Sequence, residues 1–173
     1  RKYCKTFPIL KWIGIHIPNG ITSLNLLAGS FSLVCASEEH YKGAALFIVL
    51  AALLDFLDGW CARLLKTHSQ MGGQLDSLAD MISFGVAPSF LVFRNILSIH
   101  KADAEVLNLG SFHWLDIITL LLPFILGLFA AWRLARFNIS DRQEDSFTGL
   151  PTPAMALFFA SWIYIVHNTH PPG

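Results

Sequence analysis

The chain has 173 residues, a mean hydropathy of +0.52, 54% hydrophobic and only 14% charged residues, too little polar surface to clothe a water-soluble globule of this size. Its formal charge is zero, so the information lies in where the charges sit, and no nucleic-acid partner is expected. Three cysteines, Cys4, Cys35 and Cys61, odd in number and without CxxC or Cys–His spacing, argue against a disulfide framework or a zinc site.

Residues 1–18 mix Lys and Arg with Tyr3, Phe7, Trp12 and Ile13, which reads as a helix or turn lying in the membrane interface. Lys11, His16 and Pro18 break any signal-peptide run there. Five apolar stretches follow, at about 20–37, 43–66, 75–97, 114–137 and 153–168, against the roughly 20 helical residues that cross a hydrocarbon core. Backbone exposed to lipid must satisfy its own hydrogen bonds, so these are helices. Polar or turn-forming connections separate them: Ser37-Glu38-Glu39-His40, Ser69-Gln70-Met71-Gly72-Gly73, His100 to His113 and Asn138 to Pro153. The expected fold is all-α, a single polytopic membrane domain over residues 1–173 with an N-terminal interfacial helix. Bundles of this kind close with an even number of spans, so a sixth span is expected beyond residue 173.

Lys and Arg set the orientation. With the N-terminus cytoplasmic, Arg1, Lys2, Lys5, Lys11, Arg63, Lys66, Arg133, Arg136 and Arg142 fall on the inner side, and only Lys42, Arg94 and Lys101 on the outer side. An integral membrane protein of a bacterial inner membrane or its equivalent is expected, with membrane lipids around it.

Four carboxylates interrupt the second and third spans. An ionised residue at the bilayer centre costs on the order of 3 kcal/mol or more, so Asp55, Asp58, Asp76 and Asp80 need a reason. Asp55 and Asp58 are i and i+3, Asp76 and Asp80 are i and i+4, and each pair shares a helix face. The spans run in opposite directions, so the pairs meet at one depth, toward the cytoplasmic end. A lone intramembrane Asp can serve as a structural hydrogen-bond partner; four converging ones repel unless cations neutralise them. Hard oxygen ligands at that density select magnesium, manganese or calcium. Four carboxylates suit two divalent ions about 3.5–4 Å apart, an arrangement that clamps a phosphoryl group under in-line attack. Gly59, Ala62 and Gly72 flank the acids, as close helix packing or a bulky ligand reaching the backbone would require.

The string Asp55-x2-Asp58-Gly59-x2-Ala62-Arg63-x8-Gly72-x3-Asp76-x3-Asp80 resembles, at every fixed position, the signature of the CDP-alcohol phosphotransferases. That family moves a phosphoalcohol from a CDP-linked donor to an acceptor hydroxyl and releases CMP. Further segments are similar to the branch of the family whose acceptor is L-serine: Ile17-Pro18-Asn19-Gly20-Ile21-Thr22-Ser23-Leu24-Asn25, Ser83-Phe84-Gly85-Val86-Ala87-Pro88, Arg133-Leu134-Ala135-Arg136-Phe137-Asn138 and Phe147-Thr148-Gly149-Leu150-Pro151-Thr152-Pro153-Ala154. The resemblance implies CDP-diacylglycerol and L-serine as substrates, two Mg2+ or Mn2+ ions as cofactors and a homodimer. It implies Asp55, Asp58 and Asp76 as the main metal ligands, with Asp80 completing the second metal site and acting as general base. Gly59, Ala62, Arg63 and Gly72 would line the donor pocket, with Asn19 and Thr22 beside them.

Serine also brings a carboxylate. Arg133 and Arg136, three residues apart at the cytoplasmic end of the fourth span, offer guanidinium forks that match it. Anchoring to lipid phosphates and binding of the donor pyrophosphate are the alternatives for this pair. Two other functions compete: a sibling transferase using glycerol phosphate or inositol phosphate, which needs more cations around its acceptor, and a divalent-cation transporter, which places acids near the midplane and often carries inverted repeats. The histidines His40, His100, His113, His167 and His170 fall on the outer side and read as solvated loop or interface residues, and Cys61 as packing.

Overall fold

A computed structural model describes residues 8–65, 70–103, 114–139 and 151–169. These are almost entirely helical, with no strand among the described residues. Helix α1 is Pro8–Ser37, α2 Tyr41–Leu65, α3 Gln70–Asp80, α4 Ala87–Asp103, α5 Trp114–Ile139 and α6 Thr152–Thr169; a six-residue π-helical segment, Met81–Val86, joins α3 to α4 without a break. Four stretches are long and apolar enough to cross a membrane: Ile17–Ser37, Tyr41–Leu65, Met71–Ile99 and Ile117–Arg136. The fifth expected span is the helix α6, about 27 Å long at 1.5 Å per residue, with a polar end at His167 and Asn168; it is not one of those four. Residues 8–16 are helical too, but they continue directly into the first span instead of forming an element of their own. Pro18 sits inside this helix, where it withholds an amide hydrogen from the backbone ladder.

Small residues set how closely the helices pack. On α1 the buried stripe is Pro18, Thr22, Asn25, Ala28, Ser32 and Ala36, spaced by three and four. It faces α2, whose own buried stripe is Ala44, Ile48 and Ala51. Asp55 and Asp58 continue that α2 stripe at the same spacing, which is why the packing of α2 aims both acids into the bundle. Ser32 Oγ donates to Ala44 O at 2.9 Å across this contact. A Cβ on Gly29 would lie 2.8 Å from Ser83 Cα, so only glycine lets α1 cross the π segment this closely. The outward faces carry Leu46, Leu50, Leu53, Phe56, Leu121, Ile125, Leu128 and Phe129, all exposed, an apolar surface that only lipid or another apolar partner can cover.

The end of the bundle away from the acids is tied by polar side chains. The α1–α2 turn is a Schellman closure, with His40 N–H donating to Cys35 O at 2.9 Å and Glu39 N–H to Ala36 O at 3.2 Å. Glu39 takes a φ of 63° in the position that glycine usually fills. Arg94 of α4 stabilises it, donating through Nη2 to Ser37 O at 2.8 Å and pairing with Glu39 Oε1 at 3.2 Å. His167 stacks on Tyr41 with ring centroids 4.3 Å apart and lies 3.1 Å from Asn95 Oδ1, so of the two expectations, solvated loop or interface, the first does not hold: it packs between α2, α4 and α6. His100, His113 and His170 lie outside the residues whose side chains are described.

Candidate active site

The four acids arise from helix geometry. Ten residues separate Asp55 from the end of α2 at Leu65, and ten separate Asp80 from the start of α3 at Gln70. At 1.5 Å per residue both acids therefore lie about 15 Å from the connection between the helices, with Asp58 and Asp76 one turn closer to it. The structure brings Asp55, Asp76 and Asp80 together: each offers one carboxylate oxygen, and these oxygens all lie within 4.8 Å of one another. Asp58 stands beside this trio, near enough to Asp55 and Asp76 for their charges to interact, yet its contact is different. Only 5% exposed, it has Thr22 Oγ1 2.6 Å from its Oδ2. That hydroxyl is also 3.0 Å from Pro18 O, and having one proton it can donate to only one of the two.

Two further observations bear on a cation. Asp76 Oδ1 is buried and has no hydrogen-bond partner among the described residues, which is costly for a carboxylate oxygen unless something positive meets it. Carboxylate is also the donor type that hard divalent ions take. The donor set therefore fits magnesium or manganese, with Asp55, Asp76 and Asp80 converging and Asp58 at the edge.

The other expected residues fall in different places. A Cβ on Gly59 would meet nothing within 4 Å among the described residues, so they leave the α2 backbone beside Asp58 open to an approaching ligand. Ala62, Gly72 and Asn19 are half-buried. Arg63 is exposed and its Nε donates to Gly59 O at 3.0 Å within its own helix. Arg133 and Arg136 differ: Arg136 is exposed, whereas Arg133 is partly buried with its Nη1 enclosed and without a partner among the described residues. Arg133 is one turn beyond Ala130, whose Cβ would lie 3.4 Å from a Cβ on Gly85 of the π segment. It thus extends the inward face of α5 toward the acids.

Sequence reasoning passed over Asn25. It is fully buried one turn from Thr22, and its Nδ2 donates to Asp80 Oδ1 at 3.5 Å. The available signal was an amide side chain inside an apolar span, three residues after Thr22 and on the same face.

The sequence pattern of the CDP-alcohol phosphatidyltransferases matches residues 15–171. The chain is 35% identical over 155 residues to a CDP-diacylglycerol–serine O-phosphatidyltransferase of Helicobacter pylori, covering 88% of this chain and 59% of that protein. It is 33% identical over 151 residues to an enzyme of the same name from Bacillus subtilis, covering 86% of this chain and 77% of that one. An archaetidylserine synthase of Methanothermobacter thermautotrophicus is also 33% identical over 151 residues, covering 86% of this chain and 58% of that protein. A match along most of the chain, within which the structure brings Asp55, Asp76 and Asp80 side by side, shows that this chain belongs to the CDP-alcohol phosphatidyltransferase family.

Proposed function

We propose that this chain transfers the phosphatidyl group of CDP-diacylglycerol to the hydroxyl of L-serine, giving phosphatidylserine and CMP. The observation that carries the reading is the meeting of Asp55, Asp76 and Asp80 within 4.8 Å, on the family's signature and inside an apolar bundle. Serine is favoured as acceptor because the relatives above carry serine in their names. The four acids come from one chain, so a homodimer is not needed to assemble them.

In this scheme the donor's acyl chains lie in lipid along the exposed apolar faces, and its pyrophosphate reaches the acids past the open backbone at Gly59. Bound at Asp55, Asp58, Asp76 and Asp80, two divalent ions, Mg2+ or Mn2+, would neutralise the pyrophosphate and the departing CMP. Thr22 holds Asp58 in place. The guanidinium of Arg63 swings from Gly59 O toward the nucleotide, and Arg133 offers its unpartnered Nη1 to the serine carboxylate or to a donor phosphate. A serine hydroxyl is a poor nucleophile at neutral pH, so Asp80 accepts its proton as the oxygen attacks the phosphatidyl phosphorus. The bond from that phosphorus to the CMP oxygen breaks in the same displacement.

The deciding assay offers purified protein CDP-diacylglycerol, a divalent metal and one acceptor at a time, and scores CMP. Release with L-serine well above that with glycerol phosphate or inositol phosphate is expected. Preference for a phosphorylated acceptor would move the chain to a sibling activity. Metal transport into vesicles without CMP release would favour the transporter.

The bias of Lys and Arg puts the acids at the cytoplasmic face. In a variant lacking Cys4, Cys35 and Cys61, a cysteine replacing His68 should react with impermeant maleimide only from the cytoplasmic side, and one replacing Ala104 only from the outside. The opposite labelling would invert the site.

A further inference from the structure

Asn25 is fully enclosed on the inward stripe of α1. Its Nδ2 donates to Asp80 Oδ1 at 3.5 Å, and its own Oδ1 is buried without a partner among the described residues. Turning the amide over would set its oxygen against a carboxylate, so electrostatics favours the N–H facing Asp80. The backbone of the same residue is pinned as well. Asn25 O accepts a hydrogen bond from Ser83 Oγ at 3.1 Å, and Ser83 lies three residues beyond Asp80 in the π segment. Asn25 and Asp80 are therefore joined twice, once directly and once through the stretch from Asp80 to Ser83. Gly29, one turn along α1, closes the same crossing by leaving no space beside Ser83. A long contact at one oxygen, beside a backbone anchored three residues further on, biases the orientation of the Asp80 carboxylate.

We propose that Asn25 is a positioning residue for Asp80: it occupies Oδ1 and leaves Oδ2 as the oxygen presented to a cation or to the acceptor's proton. Asn25 touches no reacting atom in this scheme and acts through Asp80. The inference rests on the function proposed above for the consequence of that positioning, but the positioning itself can be measured without turnover.

The test is a double-mutant cycle on the full chain in detergent or lipid vesicles. Asn25→Leu keeps the branched shape and the number of side-chain heavy atoms, though it is bulkier, and removes the N–H donor. The readouts are binding of Mn2+ alone, followed by electron paramagnetic resonance, and kcat and KM for CMP release. Partners that orient a metal ligand are worth about 10–100-fold in affinity or activity. Asn25→Leu should therefore weaken Mn2+ binding about tenfold and lower kcat by about 10–100-fold, with the KM for CDP-diacylglycerol within about threefold. In the Asp80→Asn background the same substitution should change neither Mn2+ affinity nor kcat by more than about twofold, because the group it orients has already been altered. General damage to the bundle would instead cost the same in both backgrounds, and that result would overturn the proposal. So would unchanged Mn2+ affinity and kcat in Asn25→Leu itself. If Asn25→Leu does not fold, Asn25→Ser, small and polar but too short to reach Asp80, carries the same comparison. A chain that shows the coupled loss of Mn2+ binding yet releases no CMP with serine would support the positioning role and overturn the proposed function instead.

Discussion

Asp55→Asn should abolish phosphatidyl transfer and donor binding together. Asp55 belongs to the trio whose oxygens lie within 4.8 Å, and asparagine keeps its size while removing the charge. Losing a clamp on the pyrophosphate and leaving group costs several kcal/mol of transition-state stabilisation, a fall in turnover on the order of 10³ or more. Asp76→Asn should behave alike, since its buried and unpartnered Oδ1 is the oxygen in greatest need of a cation. Asp58→Asn should also lose turnover, and there the hydrogen bond from Thr22 gives the amide a neutral partner, so folding should survive. Chelator should remove all activity from the parent protein, and magnesium or manganese should restore it. Full activity in chelator would sink the two-metal site.

Asp80→Asn should separate chemistry from binding. As a base Asp80 must reach the acceptor hydroxyl, whereas as a ligand it supplements ions already held by three other acids. The variant should still bind CDP-diacylglycerol and at least one metal ion, yet lose a factor on the order of 10²–10⁴ in turnover, the usual contribution of general base catalysis. Titrating CDP-diacylglycerol against Asp80→Asn and Asp55→Asn decides the matter. If both lose donor affinity equally, Asp80 is chiefly a metal ligand and the base lies elsewhere. Turnover near that of the parent would remove Asp80 from catalysis altogether.

The helices and the acids were legible because both follow from one-dimensional rules. Apolar length fixes a span, and the i, i+3 and i, i+4 spacings put Asp55 with Asp58 and Asp76 with Asp80 on inward faces. What was hidden depends on contacts between helices. Asp58 reads like the other acids in sequence, but the Thr22 hydroxyl on α1 gives it a separate environment. Arg94 reads as an outer-side charge, and its work as a cap on the α1–α2 turn comes from a residue pairing across more than fifty positions. Arg63 sits in the signature, yet its Nε bonds to its own helix, a local choice that sequence spacing does not express. The π segment carries no marker of its own; the tight fit of Ser83 against Gly29, and of Gly127 against Ser89 and Gly85, depends on a neighbouring helix in each case.

That segment lets one span keep two phases. At its end Ala87 N–H donates to Ile82 O, five residues back, so the winding widens just after Asp80. Each residue of an α-helix turns the face by about 100°, so an uninterrupted helix would lock the direction of Asp76 and Asp80 to that of Ala87 and Leu91 further along. The widened turns uncouple them. The half that carries the acids can be aimed at α1 and α2, while the half that fills the core with Ala87 and Leu91 keeps its own angle. Selection can then tune the chemistry at one end of the span without disturbing the fit at the other, and the insertion or loss of a single residue between Met81 and Val86 is the change least compatible with both.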